Sequence, residues 1–164
     1  RMTTEPLLYL DPVPAGTFTT DASVYLAHRI AGAGDSSRYQ FTVISRFENR
    51  GSVPLFLGRC FPNSVQPLFT VFVADTSGNE SAYAQPWACI DNQAQFEVAP
   101  GRARLDTLQV AGPNLFDSRT RKLIGVTEGS FRMLFDVRLG PGTSSVRAPD
   151  SLLLSNVFVV RRLN

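Results

Sequence analysis

Apolar and polar residues alternate over much of the eight residues that begin at Phe41. Two sets fall on opposite sides of the chain: Phe41, Val43 and Phe47 against Thr42, Arg46 and Glu48. This period of two predicts a strand with one buried face. Residues 48–52 (ENRGS) supply turn chemistry, and an apolar run from Val53 to Leu57 follows. We therefore predict a β-hairpin over residues 41–60.

Short strands of the same kind recur along the chain, about ten residues apart and separated by Gly, Pro and Asn turns. The clearest covers residues 131–139, where apolar residues alternate with Arg132, Asp136 and Arg138. No stretch carries an amphipathic helical pattern of useful length. We therefore predict an all-β fold, an antiparallel β-sandwich of about seven to nine strands. The remaining predicted strands cover residues 21–30, 68–73, 83–89, 96–98, 102–110 and 152–161.

The chain of 164 residues has the length of one domain. Residues 1–20 are rich in Pro, Thr and Gly, and we predict an extended N-terminal lead-in that pairs along Leu7–Leu10. We interpret Arg1 and Met2 as the remnant of a tag. Residues 21–164 form the predicted single β-sandwich domain.

The charge balance argues against a dedicated nucleic-acid binder, because the formal net charge is only +2. The sixteen basic residues are fifteen arginines and Lys122. Two explanations stay open for this bias. One is a genome that favours arginine codons, and the other is selection for bidentate contacts to anions, which arginine makes better than lysine.

The two cysteines, Cys60 and Cys89, are either a buried reduced pair or a disulfide. We favour the disulfide, because both lie at the ends of apolar strands beside turn residues. It would stabilise the fold by roughly 3–4 kcal/mol in the chain-entropy model. A disulfide indicates a periplasmic, cell-surface or secreted protein. No apolar run reaches membrane-spanning length, no signal peptide is recognisable, and a lipid anchor on a removed N-terminus stays open.

The residues for catalysis are sparse. Nucleophilic catalysis normally needs a histidine beside the nucleophile, and the only histidine is His28. Its strand places it on the same side as Val24, Leu26 and Ile30, so we predict a half-buried structural role. The acids are scattered singly, and no zinc or calcium spacing is present. We expect no enzyme activity, no cofactor, no metal site and no small-molecule substrate.

The most prominent charged feature is the group Arg119, Arg121 and Lys122, which we extend with Arg102 and Arg104. It is either a solvated surface or a site for an anionic partner, such as an acidic protein, lipid headgroups or a glycan.

Two aromatic residues, Phe61 and Phe116, fall in predicted loops and are candidates for partner contact. Because sandwich domains bind through loops and edges, we expect contacts in residues 61–67 and 111–128.

Several short motifs together resemble a known group of domains. They are Phe47–Gly51, Pro54–Cys60, Trp87–Cys89, Ala99–Gly101, Gly129–Arg132 and Ser155–Val159. The chain resembles the immunoglobulin-like β-sandwich domains of bacterial envelope lipoproteins, and is similar to the intracellular proteinase inhibitor (BsuPI-like) family of Bacillus. The resemblance implies an immunoglobulin-like sandwich, and the cysteine pair is closer to the exported relatives.

We therefore predict a non-enzymatic, extracytoplasmic module that binds another protein. It would be an accessory or structural subunit of a bacterial envelope or membrane-associated assembly. Two alternatives belong to other classes: a proteinase inhibitor that presents a loop to a protease, and a carbohydrate-binding module that uses exposed aromatic residues.

Overall fold

A computed structural model describes residues 14–32, 37–61, 64–74, 81–89, 91–142 and 145–163, without the side chains of residues 61, 91–93, 115–116 and 122–123. The described residues contain strands, one 3-10 turn at Asp150–Leu152 and no α-helix. In chain order the strands are β1 (Gly16–Thr20), β2 (Val24–Ala31), β3 (Arg38–Asn49), β4 (Leu55–Phe61), β5 (Phe69–Val73), β6 (Ser81–Ala84), β7 (Asp91–Val98), β8 (Ala103–Gly112), β9 (Leu115–Asp117), β10 (Lys122–Ile124), β11 (Gly129–Phe135), β12 (Val137–Arg138) and β13 (Phe158–Arg162).

The main sheet closes on itself. The pairings run from β3 through β2, β13, β11, β5, β6 and β8 and back to β3, and β1 pairs with β3 as an eighth strand. All pairings are antiparallel except that of β2 with β13. The predicted all-β class is confirmed. The seven-stranded ring of pairings differs from two separate sheets, because β2 bonds to both β3 and β13 while β6 reaches β8.

The longest strand, β3, has two partners along one edge. Gly16–Thr20 pairs with the last residues of β3, while His28 and Arg29 of β2 pair with Gln40 and Tyr39 near its start. Its opposite edge pairs with β8 over ten residues. Strand β1 lies in the segment predicted as an extended lead-in, whereas Leu7–Leu10 lies outside the described residues.

The alternation predicted for β3 is confirmed, since Phe41, Val43 and Phe47 are buried. The predicted hairpin is wrong, because β4 pairs with β7 and β12 and not with β3. These three strands form a second, smaller sheet. The two sheets are joined where β11 continues into β12 through Asp136, whose carbonyl accepts a hydrogen bond from Gly58 N at 2.8 Å.

Asn49 explains why the chain leaves β3 without turning back. Its side chain is fully buried, and its Nδ2 donates to the carbonyls of Val53 (2.8 Å) and Val98 (2.9 Å). Its Oδ1 accepts from Gly51 N at 3.0 Å. An ideal Cβ on Gly51 would lie 2.7 Å from Ala15 N, so the turn packs against the start of β1. The turn therefore directs β4 towards β7.

The core of the ring is rich in aromatic side chains. Phe41 lies with its ring centroid 5.1 Å from that of Tyr83, 5.4 Å from Tyr25 and 6.3 Å from Phe158. Edge-on and tilted contacts of this kind stabilise a core beyond the area that they bury. Side chains from the strands of the ring therefore form its interior.

The predicted disulfide is present. Cys60, the second-to-last residue of β4, is bonded to Cys89 in the segment after β6, with 5.3 Å between the Cα atoms. The bridge therefore fastens the small sheet to a segment that continues from the ring.

Replacing Asn49 with alanine should lower the free energy of unfolding by about 2–4 kcal/mol, because three buried backbone groups lose their partner. Asn156→Ala is the matched control: its side-chain amide also makes three hydrogen bonds, two with Thr20 and one to the Val157 carbonyl, but is exposed. Urea unfolding of both variants measures the difference. Equal losses would contradict a special role for Asn49.

Removing the disulfide with Cys60→Ala and Cys89→Ala together should lower the free energy of unfolding by roughly 3–4 kcal/mol, because the unfolded chain regains the freedom of a closed loop. Unfolding of the unmodified protein in excess reductant is the control and should give the same value. A loss below about 1 kcal/mol in both experiments would show that the constraint on the unfolded chain is small.

Candidate binding surface

Strand β2 presents its aliphatic side chains to solvent. Val24, Leu26 and Ile30 are 46%, 54% and 44% exposed, and His28 is also exposed. The predicted half-buried His28 on a core-facing side with these residues is therefore wrong. The period of two is correct, but the phase of the strand is inverted.

The inversion has a physical cause in Tyr25, which points into the core with Ala27. The Tyr25 ring packs edge-on against Phe158 at 5.4 Å. Its hydroxyl donates to Asp21 Oδ1 (2.5 Å) and accepts from Ala22 N (3.0 Å). Burial, with help from the Asp21 hydrogen bond, raises the pKa of Tyr25 to about 12. A large ring with a satisfied hydroxyl fills the core, and the aliphatic residues are left outside.

The exposed apolar side chains continue onto β13. In the parallel register, Val24 lies beside Val159 and Leu26 beside Arg161, so the outward residues of both strands share one face. Val157 and Leu163, at the two ends of β13, are also exposed. Contiguous exposed apolar patches on soluble proteins mark interaction sites. We call Val24, Leu26, Ile30, Val157 and Leu163 the β2–β13 surface.

Arginines flank the β2–β13 surface. Arg29, Arg161 and Arg162 are all exposed, and Glu128 pairs with Arg162 at 3.3 Å between Oε1 and Nη2. The backbone N of Arg162 also donates to Glu128 Oε2 at 2.8 Å. This backbone hydrogen bond and the positive charge of Arg162 hold the pKa of Glu128 below its ordinary value. Of these three arginines, only Arg162 forms an ion pair with an acid in the described part of the chain.

A pocket lies at the end of the surface where β2 and β13 finish. It has a volume of about 600 Å³ and is lined by His28, Arg29, Tyr39 and Leu163; we call it the rim pocket. The Arg162 guanidinium lies 5.3 Å from the centre of the Tyr39 ring, and its Nη1 is 3.5 Å from the Tyr39 hydroxyl. The pocket therefore combines an apolar wall with several hydrogen-bond donors.

The predicted cationic group lies apart from this surface in the chain. Arg119 and Arg121 are exposed in the turn between β9 and β10, where Arg119 N donates to Asp117 Oδ1 and Arg121 N to the Asp117 carbonyl. Lys122 begins β10, and its side chain lies outside the described residues. The turn is a solvent-facing cationic tip.

The extension of that group to Arg104 is wrong. The Arg104 side chain is buried, with its Nε 2.9 Å from Asp106 Oδ2 and its guanidinium 3.5 Å from the centre of the Phe96 ring. A buried and paired arginine is not available to a partner. Arg102 lies just before β8 and is partly exposed.

The two predicted aromatic contacts lie in strands and not in loops. Phe61 ends β4 and Phe116 is the middle residue of β9, and both side chains lie outside the described residues. In the 61–67 segment Val65 is highly exposed, whereas Gln66 is buried and its Oε1 accepts from Gln109 N at 3.2 Å.

A second pocket of about 310 Å³ lies where β11 passes into β12. Its charged lining residues are Asp136, Arg138 and Arg147, and Asp136 Oδ1 lies 3.1 Å from Arg138 Nε. The ion pair neutralises one of the two arginines of this pocket, whereas the described lining of the rim pocket contains no acid. Within the described residues, no three His, Cys, Asp or Glu side chains form a group that could hold a metal ion. The same part of the chain contains no helix long and apolar enough to cross a membrane.

The sequence matches no protein-family model, and no curated protein is significantly similar to it. The resemblance to envelope domains stays a prediction, and the functional argument rests on the geometry of the surface.

The carboxyl group of Glu128 should titrate below the usual glutamate value of about 4.3. The Arg162→Gln variant should bring the pKa part of the way back, because the side-chain charge is lost while the backbone hydrogen bond remains. Because the folded pKa is lowered, the pair contributes stability above the ordinary pKa and loses it as pH falls through the folded value. Carboxyl-detected NMR titration measures both proteins. An identical midpoint in the two would contradict the contribution of the Arg162 side chain.

Proposed function

We propose that this chain is a non-enzymatic protein-binding module that docks its partner on the β2–β13 surface. In this proposal it is an accessory or structural subunit of a bacterial envelope or membrane-associated assembly. The observation that carries the proposal is the outward phase of β2, which leaves three large aliphatic side chains in solvent beside those of β13. A monomer gains nothing in stability from this arrangement.

The surface has the composition of a protein interface. Removing the remaining exposed area of one half-buried Val, Leu or Ile contributes roughly 1 kcal/mol, so five such residues supply a useful apolar centre. Arg29 and Arg162 lie at its edge, as in the polar rims that interfaces commonly have, while Arg161 lies beside Leu26 within the surface. Charge complementarity then calls for a partner with an apolar patch and an acidic rim.

We also infer that the ring is a variant of an immunoglobulin-like sandwich. One side of the ring is closed by a single residue pair, Ala84 with Ala111. The other side is closed by the short ladder between β2 and the start of β3. Without these links, β1, β3 and β8 form one layer and the other strands form the second. Phe41 of the first layer contacts Tyr25 and Tyr83 of the second, as face-to-face packing requires.

The disulfide supports an oxidising compartment. We propose the periplasm, the cell surface or the extracellular medium as that compartment.

The Leu26→Glu variant should capture at least about tenfold less partner per copy, because the new charge lies at the apolar centre and repels the acidic rim of the partner. The measurement is quantitative cross-linking and mass spectrometry in the cells that produce the protein, reported as partner per copy of this chain. Val146→Glu is the matched control, since Val146 is 70% exposed and lies away from β2 and β13. Thermal unfolding checks that both variants fold.

Retention of the partner by Leu26→Glu, or equal loss in both variants, would overturn the docking site. If no protein is cross-linked to the unmodified chain in a stoichiometric amount, the proposed subunit function itself is overturned.

A further inference from the structure

We propose that the rim pocket binds carboxylate groups of an acidic polypeptide segment, with Arg29 as the principal anion-binding residue. This inference rests on the proposed function and names the chemistry of the partner. The pocket is lined by His28, Arg29, Tyr39 and Leu163.

The first step concerns Arg29. Its side chain is exposed and makes no hydrogen bond or ion pair within the described residues. Other arginines of the protein are engaged: Arg46 with Glu48, Arg104 with Asp106, Arg138 with Asp136. A guanidinium has five donors in a planar fork that matches a carboxylate in a bidentate way. No group of the described residues therefore occupies the donors of Arg29 in the pocket.

The second step concerns the other donors at the same rim. Arg162 lies beside the pocket wall, since its guanidinium is 5.3 Å from the centre of the Tyr39 ring, and it pairs with Glu128. Arg29 and Arg162 therefore bring two guanidinium groups to one rim, and within the described residues an ion pair neutralises only one of them. This excess of positive charge is the electrostatic requirement of an anion site.

The third step decides the kind of anion. The ladder between β2 and β3 shifts register between Arg29 and Ala31, and the consecutive residues His28 and Arg29 both line the pocket. The pocket consequently opens at the strand end, and Leu163 belongs both to it and to the β2–β13 surface. A ligand in the pocket is therefore continuous with a row of aliphatic side chains along two strands. A polypeptide with acidic and apolar residues fits both regions, whereas a free phosphate fits only the pocket.

Titration calorimetry with hexaglutamate as the probe tests the pocket without the apolar surface. At near-physiological ionic strength, Arg29→Ala should weaken binding about tenfold, because a bidentate charge-assisted contact is lost. Arg147→Ala is the matched control: it removes the same charge from an exposed arginine elsewhere and should change the affinity less than about twofold. Leu26→Ala should leave hexaglutamate binding unchanged, so the pocket and the docking surface are tested separately.

Three outcomes would overturn the proposal. Hexaglutamate fails to bind, or Arg29→Ala and Arg147→Ala weaken it equally, which would indicate general charge attraction. Alternatively, vesicles of phosphatidylglycerol and phosphatidylcholine bind more tightly than hexaglutamate and depend on Arg29, while pure phosphatidylcholine does not bind. That result would assign the pocket to a lipid surface.

Discussion

The division of one edge of β3 between two partners determines the arrangement of the whole molecule. Strand β1 occupies the end of that edge nearest Asn49, and β2 returns to the edge only at Gln40 and Tyr39. Between these two contacts, Val24–Ala27 of β2 pair with β13 and not with β3. Asp21 makes the departure possible, because its carboxylate accepts the backbone hydrogen of Ile44 at 3.0 Å and the hydroxyl of Tyr25. The pairing of β2 with both β13 and β3 closes the ring.

The sequence predicts what depends on alternation and fails where several residues compete for the core. The phase of β3 is readable because phenylalanines occupy only one of its faces. In β2 the two faces carry Val24, Leu26 and Ile30 against Tyr25 and Ala27, and hydropathy favours the wrong one. Tyr25 is buried in their place, because its aromatic partners and the local acceptor for its hydroxyl exist only in the folded protein. Pairings between distant strands, such as β3 with β8, leave no mark in local sequence either.

Part of the arginine surplus has a structural explanation in the spacing of charged residues along the strands. In a strand, residues two apart share a face, and an arginine at that distance from an acid can pair with it. Arg46 with Glu48 and Arg104 with Asp106 follow this spacing. The residues at the rim pocket cannot be grouped from the sequence, because they come from β2, β3 and β13 and meet only through the pairing of these strands. Arg119 and Arg121 were conspicuous because they are neighbours in the chain.

The parallel pairing of β2 with β13 also has a mechanical consequence. The chain enters β2 at Val24 and leaves β13 at Arg162, which are opposite ends of the same short ladder. Tension applied between Val24 and Arg162 would therefore load these hydrogen bonds together, in shear, instead of opening them one after another. In an assembly that moves or stretches, the pair of strands that carries the exposed apolar side chains would also bear the pulling force. Contact and load would share the same two strands.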